Sequence, residues 1–342
     1  MNFIKGRGAQ FNPHNRFQKN QVEKEEEENP NTQYIEVHPK TIVNNVESKN
    51  VFAKYSMNPY QGCEHGCIYC YARNSHEYWG FSAGQEFEGK IMIKKNAPEL
   101  LEKFLNKKGY QATPIMLSGN TDCYQPIERR MQITRSILEV LLKYKHPVGM
   151  ITKNSLILRD VDILQQLAAN NLVHVTISLT TLSEELRRKM EPRASSFHNR
   201  LKTVNELSKA GIPVGILIGP VIPSLNSHEI PEILKAAAEA GADTAGMVPV
   251  RLQGAIGPIF EDWIIKTFPD RAQRVMNQIR EIHDGELSSS HYQQKTKGTG
   301  KIMEQMYSLF RLYRNKYFEK KDIELRCDLF KTPDKGQLRM EL

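Results

Sequence analysis

From about residue 51 the chain alternates short, β-rich apolar runs with stretches whose apolar residues recur every three or four positions. "VFAKYSM" reads as a strand that runs into a cysteine-rich loop, and "APELLEKFLNKK" as a helix. "PIMLSG" is a strand, followed by helix "RRMQITRSILEVLLKY". Strand "VGMITK" precedes helix "VDILQQLAA", and strand "LVHVTISLTT" precedes helices "SEELRRKM" and "FHNRLKTVNELSKAG". Strand "PVGILIGPVIP", helix "SHEIPEILKAAAEAG" and a sixth strand, "TAGMVPVRL", complete the rhythm. Gly211 and Gly241 fall just past two helices, where a residue without a Cβ closes the last turn. Six strand–helix units predict an α/β fold with a parallel sheet and right-handed crossovers.

The flanks break this rhythm. Residues 1–35 are polar, carry the acidic run "EKEEEE" and show no apolar period, so they are expected to form a flexible tail. Within it, "GRGAQFNPHNRF" offers Phe11 and Phe17 as anchors for docking on the body. Residues 36–255 hold the strand–helix core. Residues 256–342 are expected to be mostly helical, in "DWIIKTFPDRAQRVMNQIREIHDG" and "GKIMEQMYSLFRLYRNKYFEKK", with "IELRCDLFKTPDKGQLRMEL" as a hairpin or extended arm.

Composition narrows the class without choosing a function. The 342 residues are 39% hydrophobic and 25% charged, which suits a globular protein able to bury a sizeable core. The longest apolar run, "IPVGILIGPVIP", is too short to span a membrane, and the N-terminus has no apolar signal core. A cytoplasmic protein with no membrane partner is expected. Five cysteines, three of them clustered, suit a metal site in a reducing compartment better than a disulfide framework. The net charge of +8 permits a polyanionic partner, DNA or RNA.

Parallel α/β sheets collect their chemistry at the carboxyl ends of the strands. Here those ends carry the cysteines, then "SGNTDCYQPIE", "TKN", Ser178 with Thr180 and Thr181, "GPVIPSLN" and Arg251. The cysteine loop is "GCEHGCIYCYAR", with Cys63, Cys67 and Cys70. A closed zinc site takes four ligands, and His65, Cys123 and Cys327 are the candidates for a fourth. Three thiolates with one vacant corner instead suit a [4Fe–4S] cluster that keeps an exchangeable position.

The spacing C-x3-C-x2-C, with Tyr69 before the last cysteine, resembles the radical SAM superfamily. Within it, "NPYQGCEHGCIYCYAR", "TDCYQPIE", "ITKN", "RDVDIL", "EPRA" and "AGIPVGILIGPVIP" resemble the DNA repair photolyase group related to spore photoproduct lyase. The resemblance implies a partial (β/α)6 barrel of the TIM type with a mostly helical C-terminal extension. It implies that Cys63, Cys67 and Cys70 hold a [4Fe–4S] cluster with S-adenosylmethionine at the vacant corner. Electron transfer then gives a 5′-deoxyadenosyl radical that abstracts a substrate hydrogen, with a flavodoxin- or ferredoxin-type protein as electron donor.

The same resemblance places Tyr69 at the adenine pocket and Thr121 and Asp122 against cofactor or substrate. Lys153 would reach the S-adenosylmethionine carboxylate and Ser178 the cofactor's polar atoms. Arg193 would either pair with that carboxylate or lock Glu191, and Asn226 would contact ribose or adenine, if it is not a satisfied loop residue. The lyase keeps a hydrogen-donating cysteine just after the second strand, where this chain has Gly119. Cys123 is then a relocated donor or a small core residue. Arg73, His76, Tyr78, Trp79 and Tyr71 either stack bases or shield the cluster. Arg311, Arg314, Lys316, Lys320 and Lys321 follow a phosphate backbone or form a solvated helix face.

The leading expectation is a radical SAM enzyme, a DNA repair lyase on nucleic acid or an enzyme acting on a peptide or small metabolite. The alternatives are a non-enzymatic zinc module and a nucleic-acid-binding protein on the same scaffold.

Overall fold

The computed structural model describes residues 4, 6–17, 32–46, 53–288, 298–319 and 323–332. Among the described residues ten strands form two sheets: β1 (Gln33–Glu36), β2 (Val43–Asn45), β3 (Tyr55–Met57), β4 (Tyr60–Gln61), β5 (Lys90–Ile93), β6 (Ile115–Leu117), β7 (Val148–Thr152), β8 (Val173–Ser178), β9 (Val214–Val221) and β10 (Thr244–Pro249). The larger sheet has the order β10-β9-β8-β7-β6-β3-β2. Its six strands β3 and β6 to β10 are parallel in sequence order, and β2 adds antiparallel to β3. The sheet stays open, with β10 and β2 as its edges. These six are the strands expected from the sequence. Strand β9 is covered on both faces, with seven of its eight residues buried, whereas β8 alternates, with Val173, Val175 and Ile177 buried and His174 and Thr176 partly exposed.

The intervening helices begin and end on local chemistry. Ser183 and Ser196 accept the backbone N–H of Leu186 and Asn199, each at 3.2 Å, capping helices Glu184–Met190 and Phe197–Lys209. Gly211 and Gly241 close their helices at φ +73° and +93°, as their positions predicted. Two long helical stretches are broken. Gln132, at φ +53°, separates Glu128–Met131 from Ile133–Lys143. Pro269, which lacks an N–H to continue a ladder, separates Ile256–Thr267 from Pro269–Glu281.

The flanks are more integrated than a tail and an appendage. The small sheet β1-β5-β4 draws on residues 33–36, and residues 6–17 are hydrogen-bonded to the body. Helix Gly300–Tyr317 packs Met303, Met306 and Phe310 onto the main core and turns Arg311, Arg314 and Lys316 to solvent. Lys320, Lys321 and residues 333–342 lie outside the described residues, and 323–332 contain no strand. Among the described residues no helix is long and apolar enough to cross a membrane.

Candidate active site

The cysteine loop leaves β4 through Gly62, at φ +80°, and turns again at Gly66, at φ +66°, conformations that side-chain-bearing residues rarely adopt. It is braced at many points. The Cys63 N–H donates to the Phe87 carbonyl at 2.9 Å and the Ile68 N–H to the Met190 carbonyl at 3.0 Å. Gln125 accepts the Glu64 N–H at 2.9 Å and donates to the Gly62 carbonyl at 3.1 Å. Glu64 in turn accepts the Ile127 N–H at 2.8 Å. The segment "TDCYQPIE" thus acts on the loop through Gln125 and Ile127.

Cys63, Cys67 and Cys70 are unpaired thiols that line one cavity of about 320 Å3. The carboxyl ends of β6, β7, β8, β9 and β10 supply Ser118, Lys153, Ser178, Gly219 and Arg251 to the same walls. This is the rim expected of a parallel α/β sheet. Burial pushes all three thiols up, Cys67 to about 12, with the nearby Asp122 charge adding to the rise of Cys63. A bound cation would take the place of those protons.

Two carboxylates organise the polar wall. Asp122 accepts the Thr152 hydroxyl at 2.7 Å and the Lys153 N–H at 2.8 Å, and its Oδ2 lies 3.4 Å from His65 Nδ1. Burial opposes its charge, yet His65 and these donors hold it at about 2. Glu191 is fully buried and accepts from Tyr69, Thr180 and Arg200. Burial opposes ionisation there too, and Arg200 and Lys153 bring it down to about 2. Burial disfavours the Lys153 ammonium, but the charges of Cys67 and Glu191 outweigh it and leave the group above its usual value. Lys153 Nζ lies 5.9 Å from the centroid of the Tyr69 ring.

Tyr69, Asp122, Lys153 and Ser178 therefore share the cavity with the cysteines. The other singled-out residues, Thr121, Asn226, Cys123 and Arg193, do not line the cavity. Thr121 donates its hydroxyl to the Tyr60 carbonyl at 2.7 Å, pinning β4. Asn226 donates to the Thr180 and Pro220 carbonyls at 2.8 and 3.0 Å and accepts the Ile222 N–H at 2.6 Å, so its amide is spent on the loop after β9. Cys123 is wholly buried in the main apolar core. Arg193 reaches Thr32 at 3.3 Å, and Arg200 rather than Arg193 locks Glu191. The sequence reading missed Arg200. Its signal was a charge on the apolar stripe of Phe197, Val204 and Leu207.

The residues after Cys70 divide. Arg73 and His76 point inward and are fully buried. Tyr71, Tyr78 and Trp79 are exposed, with Tyr71 at the cavity and its hydroxyl donating to the Gly119 carbonyl. Phe17 stacks on Tyr78 with centroids 4.8 Å apart.

The donor set fits an iron–sulfur cluster with one open corner. His65 faces Asp122 and Asn154, Cys123 lies in the core, and Cys327 points its thiol to the Leu325 carbonyl. Among the described residues no three or more His, Cys, Asp or Glu side chains converge on a single-ion position, as a zinc site of the three cysteines with His65 or Cys123 would require.

The family model of the Radical SAM superfamily matches residues 57–237. The uncharacterized protein Rv2578c of Mycobacterium tuberculosis is 29% identical over 244 residues, covering 70% of this chain and 72% of its own. Spore photoproduct lyase of Clostridium acetobutylicum is 23% identical over 268 residues, covering 77% and 75%. A solved spore photoproduct lyase, complexed with dinucleoside spore photoproduct, superposes at TM-score 0.62 with 16% identity, covering 83% of this chain and 79% of the other. A variant of that lyase with bound AdoMet superposes at 0.59.

Proposed function

The chain belongs to the radical SAM superfamily, and on that premise we propose that Cys63, Cys67 and Cys70 hold a [4Fe–4S] cluster that presents S-adenosylmethionine to a nucleic-acid substrate. The observation that carries the reading is the cavity: three free thiols and the strand termini line it, with His65 in the wall facing Asp122 and Cys123 in the apolar core. When bound and reduced, such a cluster would supply the single electron needed for reductive cleavage of S-adenosylmethionine and so for hydrogen abstraction from the substrate.

The chain's own residues bind and orient. The Lys153 ammonium is a point cation suited to the cofactor's carboxylate. Asp122 fixes the Lys153 backbone and the Thr152 hydroxyl, so this corner is preorganised. Glu191 steadies the Tyr69 ring, which forms an apolar wall beside Cys67. Ser178 presents a hydroxyl already donated to the Gly219 carbonyl at 3.3 Å, so its oxygen accepts from a ligand. Buried walls exclude water from the reacting centre. A flavodoxin or ferredoxin supplies the electron.

The likeness to spore photoproduct lyase, the +8 charge and the cavity-mouth pair Tyr71 and Arg251 support a nucleic-acid substrate and lyase-type repair chemistry. A peptide or small metabolite is the second reading, favoured by the core placement of Cys123, which leaves this lyase-like chain without a cavity thiol beyond the three of the loop. Anaerobic reconstitution should give about four irons per chain, and dithionite with S-adenosylmethionine should release 5′-deoxyadenosine. Irradiated oligonucleotides should raise that release above the level with undamaged ones. A Cys70→Ala protein that still makes 5′-deoxyadenosine at full rate would overturn the assignment.

A further inference from the structure

The N-terminal segment singled out in the sequence, "GRGAQFNPHNRF", runs along the back of the cysteine loop. The Gly8 and Ala9 N–H groups donate to the two oxygens of the Glu88 carboxylate at 2.9 and 2.8 Å. The Arg7 guanidinium donates to the Glu88 carbonyl at 2.6 Å. Glu88 is fully buried, and its Oε1 also accepts from Arg73 Nη2 at 2.5 Å. Arg73, buried as well, donates from Nε to the Cys67 carbonyl at 3.0 Å and from Nη1 to the Gly84 carbonyl at 2.9 Å. One chain of charge-assisted bonds thus joins residues 8 and 9 to the backbone of a thiol-bearing residue far along the sequence.

Sterics are equally tight. A Cβ on Gly8 would lie 1.9 Å from the Gly66 carbonyl oxygen, and a Cβ on Gly66 would lie 2.8 Å from Glu88 Oε2. A Cβ on Gly84 would lie 2.0 Å from the Phe11 carbonyl oxygen. Ala9 has no exposed surface and shares an apolar cluster with Cys67, Ile68 and Tyr69. Further along, Asn12 accepts the Glu86 N–H at 3.1 Å, and Asn15 donates to the Glu77 and Phe81 carbonyls at 3.0 and 3.1 Å.

We propose that residues 7–15 are a positioning strap for the cofactor-binding loop, with Glu88 as its hub and Gly8 as its contact, so that cluster retention depends on a segment outside the strand–helix core. Mutual donation around one buried carboxylate fixes where the Gly66 turn sits, and that turn sets the spacing of Cys63 and Cys67. The inference rests on the cluster reading above, and its test separates the two.

Full-length Gly8→Val and the near-isosteric Glu88→Gln are prepared beside wild type. Iron and acid-labile sulfide are counted after anaerobic reconstitution. The spectrum of the reduced cluster is recorded by electron paramagnetic resonance with and without S-adenosylmethionine. Hydrogen exchange is mapped in the metal-free proteins. Each variant is expected to lose at least half its iron or the cofactor-induced spectral change, with at least tenfold faster exchange confined to residues 62–72. Exchange in the parallel strands should match wild type. Full iron, an unchanged spectrum and unchanged loop exchange in both variants would overturn the strap. Should Gly8→Val fail to fold, Glu88→Gln and Asn12→Ala decide by the same measurements. A wild-type protein that takes up no iron would sink the cluster reading instead, and the exchange map alone would then judge the strap.

Discussion

Replacing Arg200 with Met probes the ion pair behind Tyr69. Arg200 is buried and donates to Glu191, to the Ser178 carbonyl at 3.0 Å and to the Ser195 carbonyl at 2.8 Å. The drop of the Glu191 carboxyl from 4.5 to about 2 corresponds to about 3 kcal/mol, at about 1.4 kcal/mol per tenfold. Removing the guanidinium also leaves a buried charge poorly compensated, so a loss of about 3–5 kcal/mol is expected at neutral pH. The sign of the pH dependence follows from the depressed value. A carboxylate lowered in the folded state contributes above its unfolded value, near 4.5, and that contribution fades as pH falls toward about 2. In Arg200→Met the carboxyl rises and protonates instead. The gap between variant and wild type should therefore narrow from pH 7 to pH 3. Urea unfolding of the metal-free proteins at the two pH values measures it. Adding Glu191→Leu to Arg200→Met should recover part of the loss, because the orphaned charge is gone. A loss below about 1 kcal/mol at pH 7, or a gap that widens on acidification, would refute the assignment of this pair.

Lys153→Met should weaken S-adenosylmethionine binding about tenfold or more while cluster content stays at wild-type level, read by calorimetry on the reconstituted protein. Asn226→Ala should cost about 1–3 kcal/mol of stability through its three lost bonds and change the apparent cofactor affinity less than threefold, checked by denaturation and titration. Cys123→Ala should keep at least half of the wild-type 5′-deoxyadenosine formation, since its thiol faces the core; total loss in a folded, iron-replete variant would make it a donor after all.

Much of the parallel sheet was legible because its strands are short β-rich runs between helical periods, and "PVGILIGPVIP" stands out without alternation since β9 is buried on both faces. Gly211 and Gly241 marked the turns correctly because a C-cap is local chemistry. The small strands β4 and β5 were not legible, since two to four residues carry no period and pairing alone defines them. The break at Gln132 was hidden as well: Glu128 draws the Thr134 N–H at 3.1 Å while bonding Tyr60 and Arg159, a network that exists only in the folded chain. At the site, strand-end position put Asp122, Lys153 and Ser178 on the same rim as the cysteines, which the structure shows as one cavity, while the resemblance alone supplied their expected roles. Partner choice was not legible. "EPRA" suggests Arg193 for Glu191, yet the helix register hands that carboxylate to Arg200; docking of "GRGAQFNPHNRF" was expected through Phe11 and Phe17, whereas the Gly8 and Ala9 amides and the Asn12 and Asn15 side chains make its hydrogen bonds to the body.

The Ile68 N–H is held by the Met190 carbonyl, and the Tyr69 phenol by Glu191. A nascent polypeptide leaving the ribosome therefore displays its three thiols well before the scaffold that must orient them has been translated. A cluster held by these thiols would be enclosed only once helix Glu184–Met190 has been made, and any fragment ending before it would lack these two contacts around the three thiols.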